Sequence, residues 1–148
     1  MSRKSAPVPL DQCGMARAAD LIADRTLLLV LRELMYGVER FDDIQAELGC
    51  SRSVLSSRLK RGVELGLVEK RAYQEKGQRK RHAYALTREA AQLGVVFAAL
   101  MDWGAGHLEK PAAGMVHRET GRRLRAALVD EDGVVVSARQ ARIVLPDD

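Results

Sequence analysis

Positively charged side chains concentrate in one segment of the chain, between Arg52 and Arg81. This segment holds ten lysines and arginines against three glutamates, a net charge of +7, although the whole chain carries only +4. Lysine and arginine neutralise phosphates and release the counterions around them, so a field of this sign attracts nucleic acids. The chemistry that these residues predict is therefore non-covalent recognition of a polyanion. The alternative is a solvated basic face, which is the usual explanation of an isolated run of charges.

The elements expected to position these charges follow one another closely. Ser51 is a typical N-cap for a helix in which Leu55 and Leu59, four residues apart, face the core. Two alternating strands follow at 68–73 and 82–86, with Gly77 in the basic loop between them. A helix, a strand, a basic loop and a strand in this order are typical of the recognition helix and wing of a winged helix-turn-helix. In that motif both the helix and the loop contact duplex DNA, and this agreement favours DNA over a solvated face.

The predicted DNA contacts divide by position and chemistry. Base-edge contacts are expected on the exposed side of the helix, since arginine often reads guanine and serine is permissive; these residues are Arg52, Ser53, Ser56 and Lys60. Phosphate contacts are expected from Thr26 and Arg58, and salt-dependent affinity from the wing residues Arg79, Lys80 and Arg81. Arg40 and Ser51 complete the predicted set. For each position the alternative is a solvated surface residue.

Three helices are expected before this segment. The first spans about 11–23. The second begins near Asp24 and is apolar around most of its circumference, so it should be the buried, central helix. Phe41, Ile44 and Leu48 have the spacing of a short third helix that Gly49 ends. The predicted fold class is α+β, mainly α: a winged helix-turn-helix domain with flanking dimerisation helices and a short C-terminal β appendage.

A long final helix, capped by Thr87 and reaching about residue 109, is apolar on nearly all sides. A domain this small cannot cover such a helix, and a large exposed apolar patch is unusual in a soluble monomer. We therefore expect a homodimer interface shared by the final and first helices. Its predicted residues are Met15, Ala19, Ile22, Val96, Phe97, Leu100 and Trp103. The alternative is the central core helix of a monomer.

The predicted domain organisation has three parts. Residues 1–10 form a flexible tail, 11–110 the winged-helix domain with its two dimerisation helices, and 111–148 a small β-rich appendage. Within the appendage, short strands are expected at 115–118, 123–129 and 134–136, with a turn at 130–133. The residues of the appendage indicate no function.

The composition, 47% hydrophobic and 30% charged, is that of a globular protein. No apolar run approaches the roughly 20 residues of a membrane helix, and the first residues lack the apolar core of a secretion signal. Two cysteines, Cys13 and Cys50, exclude a disulfide framework and favour a reducing cytoplasm. No Ser/His/Asp pattern or glycine-rich phosphate loop occurs, and the three histidines are scattered. We therefore expect no enzyme activity, cofactor or metal.

Six motifs and Cys13 carry a family resemblance: Leu31-Arg32-Glu33-Leu34, Arg40-Phe41-Asp42-Asp43-Ile44, Val54-Leu55-Ser56-Ser57-Arg58-Leu59, Gly66-Leu67-Val68-Glu69, Tyr84-Ala85-Leu86-Thr87 and Asp102-Trp103-Gly104. In this order and spacing, over about 13–108, they resemble the HxlR family of bacterial winged-helix regulators. The resemblance implies a dimeric DNA-binding transcription factor whose first and last helices form the dimer. It also implies that the helix from Ser51 reads the major groove and that the Gly77 hairpin touches the flanking DNA backbone.

Several features depart from the family pattern. Ala23-Asp24-Arg25-Thr26 stands where the family usually has Gly-Lys-Trp-Thr. Gly62 replaces an expected Leu in the recognition helix; glycine costs about 1 kcal/mol there relative to alanine, so we expect the end of this helix to be bent or rotated. The C-terminal segment of longer relatives resembles a Cys-rich zinc ribbon, but here only His117 remains as a ligand. A structural zinc site needs about four ligands, so no zinc is expected.

Cys13 is the regulatory candidate. It resembles a cysteine that some HxlR-family regulators use as a thiol switch, and a thiol becomes reactive near positive charge or a helix N-terminus. We expect Cys13 in the first turn of the first helix, with Arg17 one turn on. The alternative is an inert, partly buried residue. Cys50 is expected to pack in the turn before the recognition helix.

The predicted function is that of a sequence-specific transcriptional repressor acting as a homodimer on pseudo-palindromic double-stranded DNA. Its control is expected to come from thiol modification or from a small ligand at the dimer interface. One alternative is a winged-helix protein-interaction module. Another is a nonspecific architectural DNA binder, because phosphate contacts alone carry no sequence information.

Overall fold

The structure is a computed structural model that describes residues 8–74, 77, 81–110 and 112–144. The chain forms two compact units, Met1–Gln92 and Leu93–Asp148. The division into a tail at 1–10, a domain at 11–110 and an appendage at 111–148 stays a prediction. No helix among the described residues is long and apolar enough to cross a bilayer.

The described residues of the N-terminal unit contain four α-helices followed by a two-stranded hairpin. They are α1 (Gly14–Ile22), α2 (Arg25–Met35), α3 (Phe41–Leu48), α4 (Arg52–Glu64), β1 (Val68–Tyr73) and β2 (Arg81–Leu86). This order confirms the predicted mainly α, winged helix-turn-helix fold.

Side-chain caps mark the starts of α2 and α4, and a left-handed glycine marks the end of α3. Asp24 Oδ1 accepts a hydrogen bond from Leu27 N at 2.7 Å at the start of α2, and Ser51 Oγ accepts one from Val54 N at 3.3 Å at the start of α4. Gly49 ends α3 with φ +61°, a conformation that favours glycine. Because only Cys50 and the cap Ser51 separate Gly49 from α4, the turn of the helix-turn-helix is tight.

The first helix differs from the prediction of one helix over 11–23. A 3-10 turn covers Leu10–Gln12, Cys13 is extended with φ −94° and ψ 114°, and α1 begins only at Gly14. Cys13 is therefore the N-cap residue and not part of the first turn. The extended backbone of Cys13 separates the 3-10 turn from α1.

The core lies around α2, as predicted from its apolar circumference. Its largest fully buried side chains come from α2, α3 and α4, and they are Leu27, Leu31, Ile44, Leu55, Leu59 and Val30. Leu55 and Leu59 are thus the face by which α4 is anchored, and the opposite face of α4 is exposed.

Gly62 explains how α4 and β1 pack together. A Cβ at this position would lie 2.7 Å from Val68 Cγ2 and 3.3 Å from Val68 Cβ. Both residues are buried. α4 is continuous through Gly62 to Glu64, and the bend or rotation expected at its end stays a prediction. The glycine permits close approach of the strand.

The hairpin is antiparallel, with register from Val68↔Leu86 to Tyr73↔Arg81. The segment before α3 pairs with β2 through its backbone. Tyr84 N donates to the Glu39 carbonyl at 2.8 Å, and Arg40 forms an antiparallel bridge with Ala83. Gly77 lies between the strands with φ +80°. This backbone pairing connects the base of the wing to the start of α3.

The predicted final helix is shorter and less regular than expected. Thr87 Oγ1 accepts a hydrogen bond from Ala90 N at 3.1 Å, but the segment it caps is a 3-10 turn, Ala90–Leu93. The helix α5 then spans Gly94–Ala105. It ends before the predicted residue 109, beside Gly104 and Gly106, which are poor helix formers.

The remainder of the C-terminal unit is mostly irregular. The strand expected at 123–129 is reduced to β3 (Leu128–Val129), which pairs with β4 (Val135–Val136). The strand expected at 115–118 is reduced to a single bridge, Val116↔Arg123. The predicted turn at 130–133 is confirmed, with Gly133 at φ +80° and Asp130 Oδ1 accepting from Val134 N at 2.8 Å.

Two further turns in this unit are held by side chains. His117 Nδ1 accepts from the backbone N–H groups of Glu119 and Thr120, each at 3.3 Å. Ser137 donates from its N at 3.0 Å and from its Oγ at 2.9 Å to Gln140 Oε1. Hydrogen bonds thus hold both turns.

Candidate nucleic-acid interface

The exposed side of α4 presents polar side chains to solvent. Its buried anchors Leu55 and Leu59 leave the other faces outward, so Arg52, Ser53, Ser56 and Lys60 are all exposed. Ser51, which caps the helix, also lies 3.1 Å from Ser53 through their Oγ atoms. The predicted base-edge residues are therefore brought onto one exposed part of the helix. Lys60 lies 3.8 Å from Glu64 on the next turn, an exposed pair that contributes little to stability.

Arg52 is held by the preceding helix. Its Nη1 donates to Asp42 Oδ1 at 2.8 Å and to Gln45 Oε1 at 3.2 Å, and its guanidinium carbon lies 4.7 Å from the centre of the Phe41 ring. These three α3 partners were not predicted, because they depend on how α3 crosses α4. The pattern Asp42-x-x-Gln45 places both acceptors one turn apart on α3, which is the only signal the sequence holds.

Arg58 contacts the start of α2. Its Nε donates to Asp24 Oδ1 at 2.9 Å, although 34 residues separate them. The Leu27 N–H and the Arg58 guanidinium both lower the pKa of Asp24 from its ordinary value of 3.8. Thr26, the other predicted phosphate contact, is half-buried in the first turn of α2. The same oxygen of Asp24 thus caps α2 and orients a cation of α4.

The wing side of the interface includes Arg40 and Arg81. Arg81 is exposed at the first position of β2. The guanidinium of Arg40, next to the hairpin, lies 5.3 Å from the centre of the Tyr73 ring. Both arginines line one cleft with Arg52, together with Asp42 and Asp43, so α4, the start of α3 and the loop end of the hairpin share one charged surface. The predicted wing contacts Arg79 and Lys80 lie outside the described residues.

The predicted dimer residues are distributed over α1 and α5. On α1, Met15 is 82% exposed, Ala19 is exposed and Ile22 is half-buried. On α5, Trp103 is 72% exposed, and Val96 and Leu100 are also exposed. Phe97, in contrast, is buried within the single chain and has little surface left for a partner. Each helix therefore offers an apolar face.

The described residues contain no group of three or more His, Cys, Asp or Glu side chains arranged for a metal ion. His117 Nδ1 accepts two backbone hydrogen bonds, so this nitrogen is already used in its turn. Cys13 and Cys50 are free thiols, both partly exposed. Cys50 lies in the turn before α4, where its carbonyl accepts from Gln45 Nε2 at 3.3 Å, in agreement with its predicted place.

Comparisons with known proteins agree with this geometry. A family model, HxlR-like helix-turn-helix, matches residues 21–112. An uncharacterized HTH-type transcriptional regulator of Mycobacterium tuberculosis, MT3179, is 40% identical over 98 residues, which is 66% of this chain and 61% of that protein. The chain thus matches about three fifths of the length of this relative.

Two solved structures are similar over most of their length. The crystal structure of PA1607, a proposed transcription factor, has a TM-score of 0.74 and 26% identity and covers 89% of this chain and 94% of its own. The reduced form of the transcriptional regulator YodB from B. subtilis has a TM-score of 0.54 and 27% identity, with coverage of 66% and 95%. These relatives are named as regulators of transcription and not as enzymes. The matched residues, the winged fold and the basic surface of α4 together show that this chain belongs to the HxlR-like helix-turn-helix family.

Proposed function

We propose that this protein is a sequence-specific transcriptional repressor that binds pseudo-palindromic duplex DNA as a homodimer. The observation that carries the proposal is the arrangement of α4. Its apolar face is anchored by Leu55 and Leu59, and its exposed face presents Arg52, Ser53 and Ser56 near the loop end of the hairpin, where Arg81 lies. In helix-turn-helix proteins the second helix of the motif enters the major groove with its N-terminal residues on the base edges.

The two half-sites of such an operator follow from symmetry. A two-fold dimer presents two α4 helices, so the half-sites should lie about one helical turn of DNA apart, roughly 10 base pairs, or a multiple of it. A dimer seated on both half-sites excludes other proteins from that stretch of DNA, and this is the basis for proposing repression. The membership of the HxlR-like family supports the dimer and the DNA target.

The apolar faces of α1 and α5 support dimerisation. Val95 and Trp103 of α5 are each 72% exposed, and Leu10 and Met15 at the start of the chain are at least 80% exposed. Isolated apolar side chains on a surface are ordinary, but several on one helix favour an interface. We expect Trp103→Asp to convert the dimer to a monomer in sedimentation velocity. Ile143→Asp, a matched change at an exposed residue outside both helices, should leave the dimer intact.

Selection from a random duplex pool at near-physiological salt, under reducing conditions, tests the function directly. Enrichment of a two-fold symmetric site is the expected result. A folded protein that binds DNA with steep salt dependence but enriches no sequence would be an architectural binder, because phosphate contacts dominate such affinity. A folded protein without DNA affinity would instead be a protein-interaction module.

Control of binding is proposed to act on the dimer helices, either through Cys13 or through a small apolar ligand beside α5. YodB, to which the chain is similar, has been solved both reduced and after diamide treatment. Cys13 is partly exposed and immediately precedes α1, so its modification would act on a proposed dimer helix. Cys13→Ser should abolish any diamide effect on DNA binding, with Cys50→Ser as the matched control. A diamide response that persists in Cys13→Ser would exclude Cys13 as the sensor.

A further inference from the structure

The first residue of α4 is held in one orientation by three residues of α3. Arg52 Nη1 donates to Asp42 Oδ1 at 2.8 Å and to Gln45 Oε1 at 3.2 Å, while the guanidinium lies against the Phe41 ring with 4.7 Å between its carbon and the ring centre. The side chains of Arg52 and Asp42 are 67% and 63% exposed. An ion pair this exposed adds little stability. Its main physical effect is to fix the direction of a flexible side chain.

The hydrogen bonds of Arg52 leave one edge of its guanidinium available. An arginine carries five N–H donors, of which two are on Nη1, two on Nη2 and one on Nε. Asp42 and Gln45 both accept from Nη1. Neither Nε nor Nη2 of Arg52 donates a hydrogen bond to any of the described residues. These two atoms present parallel N–H groups, the fork that pairs with O6 and N7 of guanine in the major groove.

Asp42 also has an effect that opposes DNA binding. A carboxylate beside the base-reading helix repels phosphates, so on charge alone its loss would strengthen binding to any DNA sequence. Its presence next to Arg52 is therefore explained by orientation and not by affinity. An arginine that is already oriented loses less side-chain freedom when it pairs with a base.

We propose that Asp42 and Gln45, with Phe41, are positioning residues that orient Arg52 to read one guanine in each half-site through Nε and Nη2. The proposal rests on the proposed function, in which α4 enters the major groove. Arg52 is the residue that touches the base; Asp42 acts through it. Specificity at this one base pair thus comes from both helices of the helix-turn-helix.

The test compares binding of protein variants to the selected site and to versions of that site with each base pair changed in turn. Arg52→Ala should lose discrimination at one G·C pair per half-site by about tenfold or more. Asp42→Ala should lose discrimination severalfold at the same pair and at no other. Its affinity for unrelated DNA should rise, because a negative charge has been removed from the interface.

Two further variants separate orientation from charge. Asp43→Ala removes the same charge one residue along α3, and Asp43 makes no hydrogen bond or ion pair with Arg52. It should raise affinity for unrelated DNA while keeping the wild-type base preferences. Asp42→Asn keeps an oxygen that accepts from Nη1, so it should recover much of the discrimination that Asp42→Ala loses. A merely structural role of Asp42 would not produce a change confined to one base pair.

Different experimental results would overturn the proposed function and the positioning role of Asp42. A wild-type protein that enriches no sequence overturns the proposed function. A wild-type protein that enriches a site, with Asp42→Ala discriminating as well as wild type at every position, overturns only the positioning role. The positioning role is also overturned if Arg52→Ala and Asp42→Ala lose their base preference at different base pairs. Thermal unfolding of each variant confirms that it is folded before binding is compared.

Discussion

Replacing Gly62 with alanine should destabilise the protein even though alanine favours helix. The substitution sits inside α4, where alanine gains about 1 kcal/mol of helix propensity over glycine. Against this gain, the new Cβ would lie 2.7 Å from Val68 Cγ2 and 3.6 Å from Leu27 Cδ1. Val68 is 2% exposed and lies in a strand paired along its length with β2, so it has little room to withdraw.

The expected size of the effect follows from these opposing terms. Overpacking of a close-packed core costs typically about 1–3 kcal/mol. After the gain in helix propensity, the net loss should be at most about 2 kcal/mol, with about 1 kcal/mol as the central expectation. A loss of about 1 kcal/mol lowers the Tm of a domain near this size by roughly 2–4 °C.

Urea unfolding followed by circular dichroism measures this difference in the free energy of unfolding. Gly104→Ala in α5 is the matched control, since nothing lies within 4 Å of its added Cβ, and it should leave the protein equally or more stable. In a Val68→Ala background the Gly62→Ala change should become neutral or stabilising, because the clashing Cγ atoms are gone. A Gly62→Ala protein that is more stable than wild type would refute the close contact as the reason for this glycine.

Three other measurements test single features. Asp24→Ala should cost about 1 kcal/mol of folding stability through loss of the α2 cap. Because the pKa of Asp24 is lowered in the folded state, the ionised carboxylate stabilises the fold fully at pH values above its ordinary pKa. This stabilisation is lost as pH falls through the folded-state pKa. Urea unfolding from pH 7 to pH 3 should therefore show a flatter acid limb in the variant, and an unchanged limb would count against the pair with Arg58. Arg81→Ala should reduce the slope of log affinity against log salt by about 0.9 if one phosphate contact is lost; an unchanged slope would place Arg81 away from DNA. Excess chelator should leave the Tm unchanged, since side chains such as His117 hold the C-terminal turns; a fall in Tm would reveal a bound metal.

The start of α2, the end of α3 and the start of α4 were predictable because local signals set them. Ser51 and Asp24 accept backbone hydrogen bonds from the residue three positions on, and Gly49 adopts a left-handed conformation. These are interactions within a few residues, which residue type alone indicates. The apolar spacing of Leu55 and Leu59 likewise predicted which side of α4 would be exposed.

Features that depend on distant contacts were not predictable in this way. Gly62 was interpreted through its low helix propensity alone, because residue type does not reveal that Val68, on a strand six residues further on, packs against it. The partners of Arg52 and Arg58 lie on other helices, at separations of 7 to 34 residues. The length of the final helix was overestimated because its apolar residues continue through a 3-10 turn, and apolar periodicity does not distinguish a 3-10 turn from an α-helix.

The shared oxygen of Asp24 has a consequence for how the N-terminal unit opens. Oδ1 accepts from Leu27 N at the start of α2 and from Arg58 Nε on α4. If α4 separates from α2, the cap loses a cationic partner that helps to keep it ionised, and if the first turn of α2 frays, Arg58 loses its acceptor. Local openings of the two segments are therefore energetically coupled. In native-state hydrogen exchange, the Leu27 amide should exchange through the same opening as the middle of α4, so that the two helices behave as one cooperative unit.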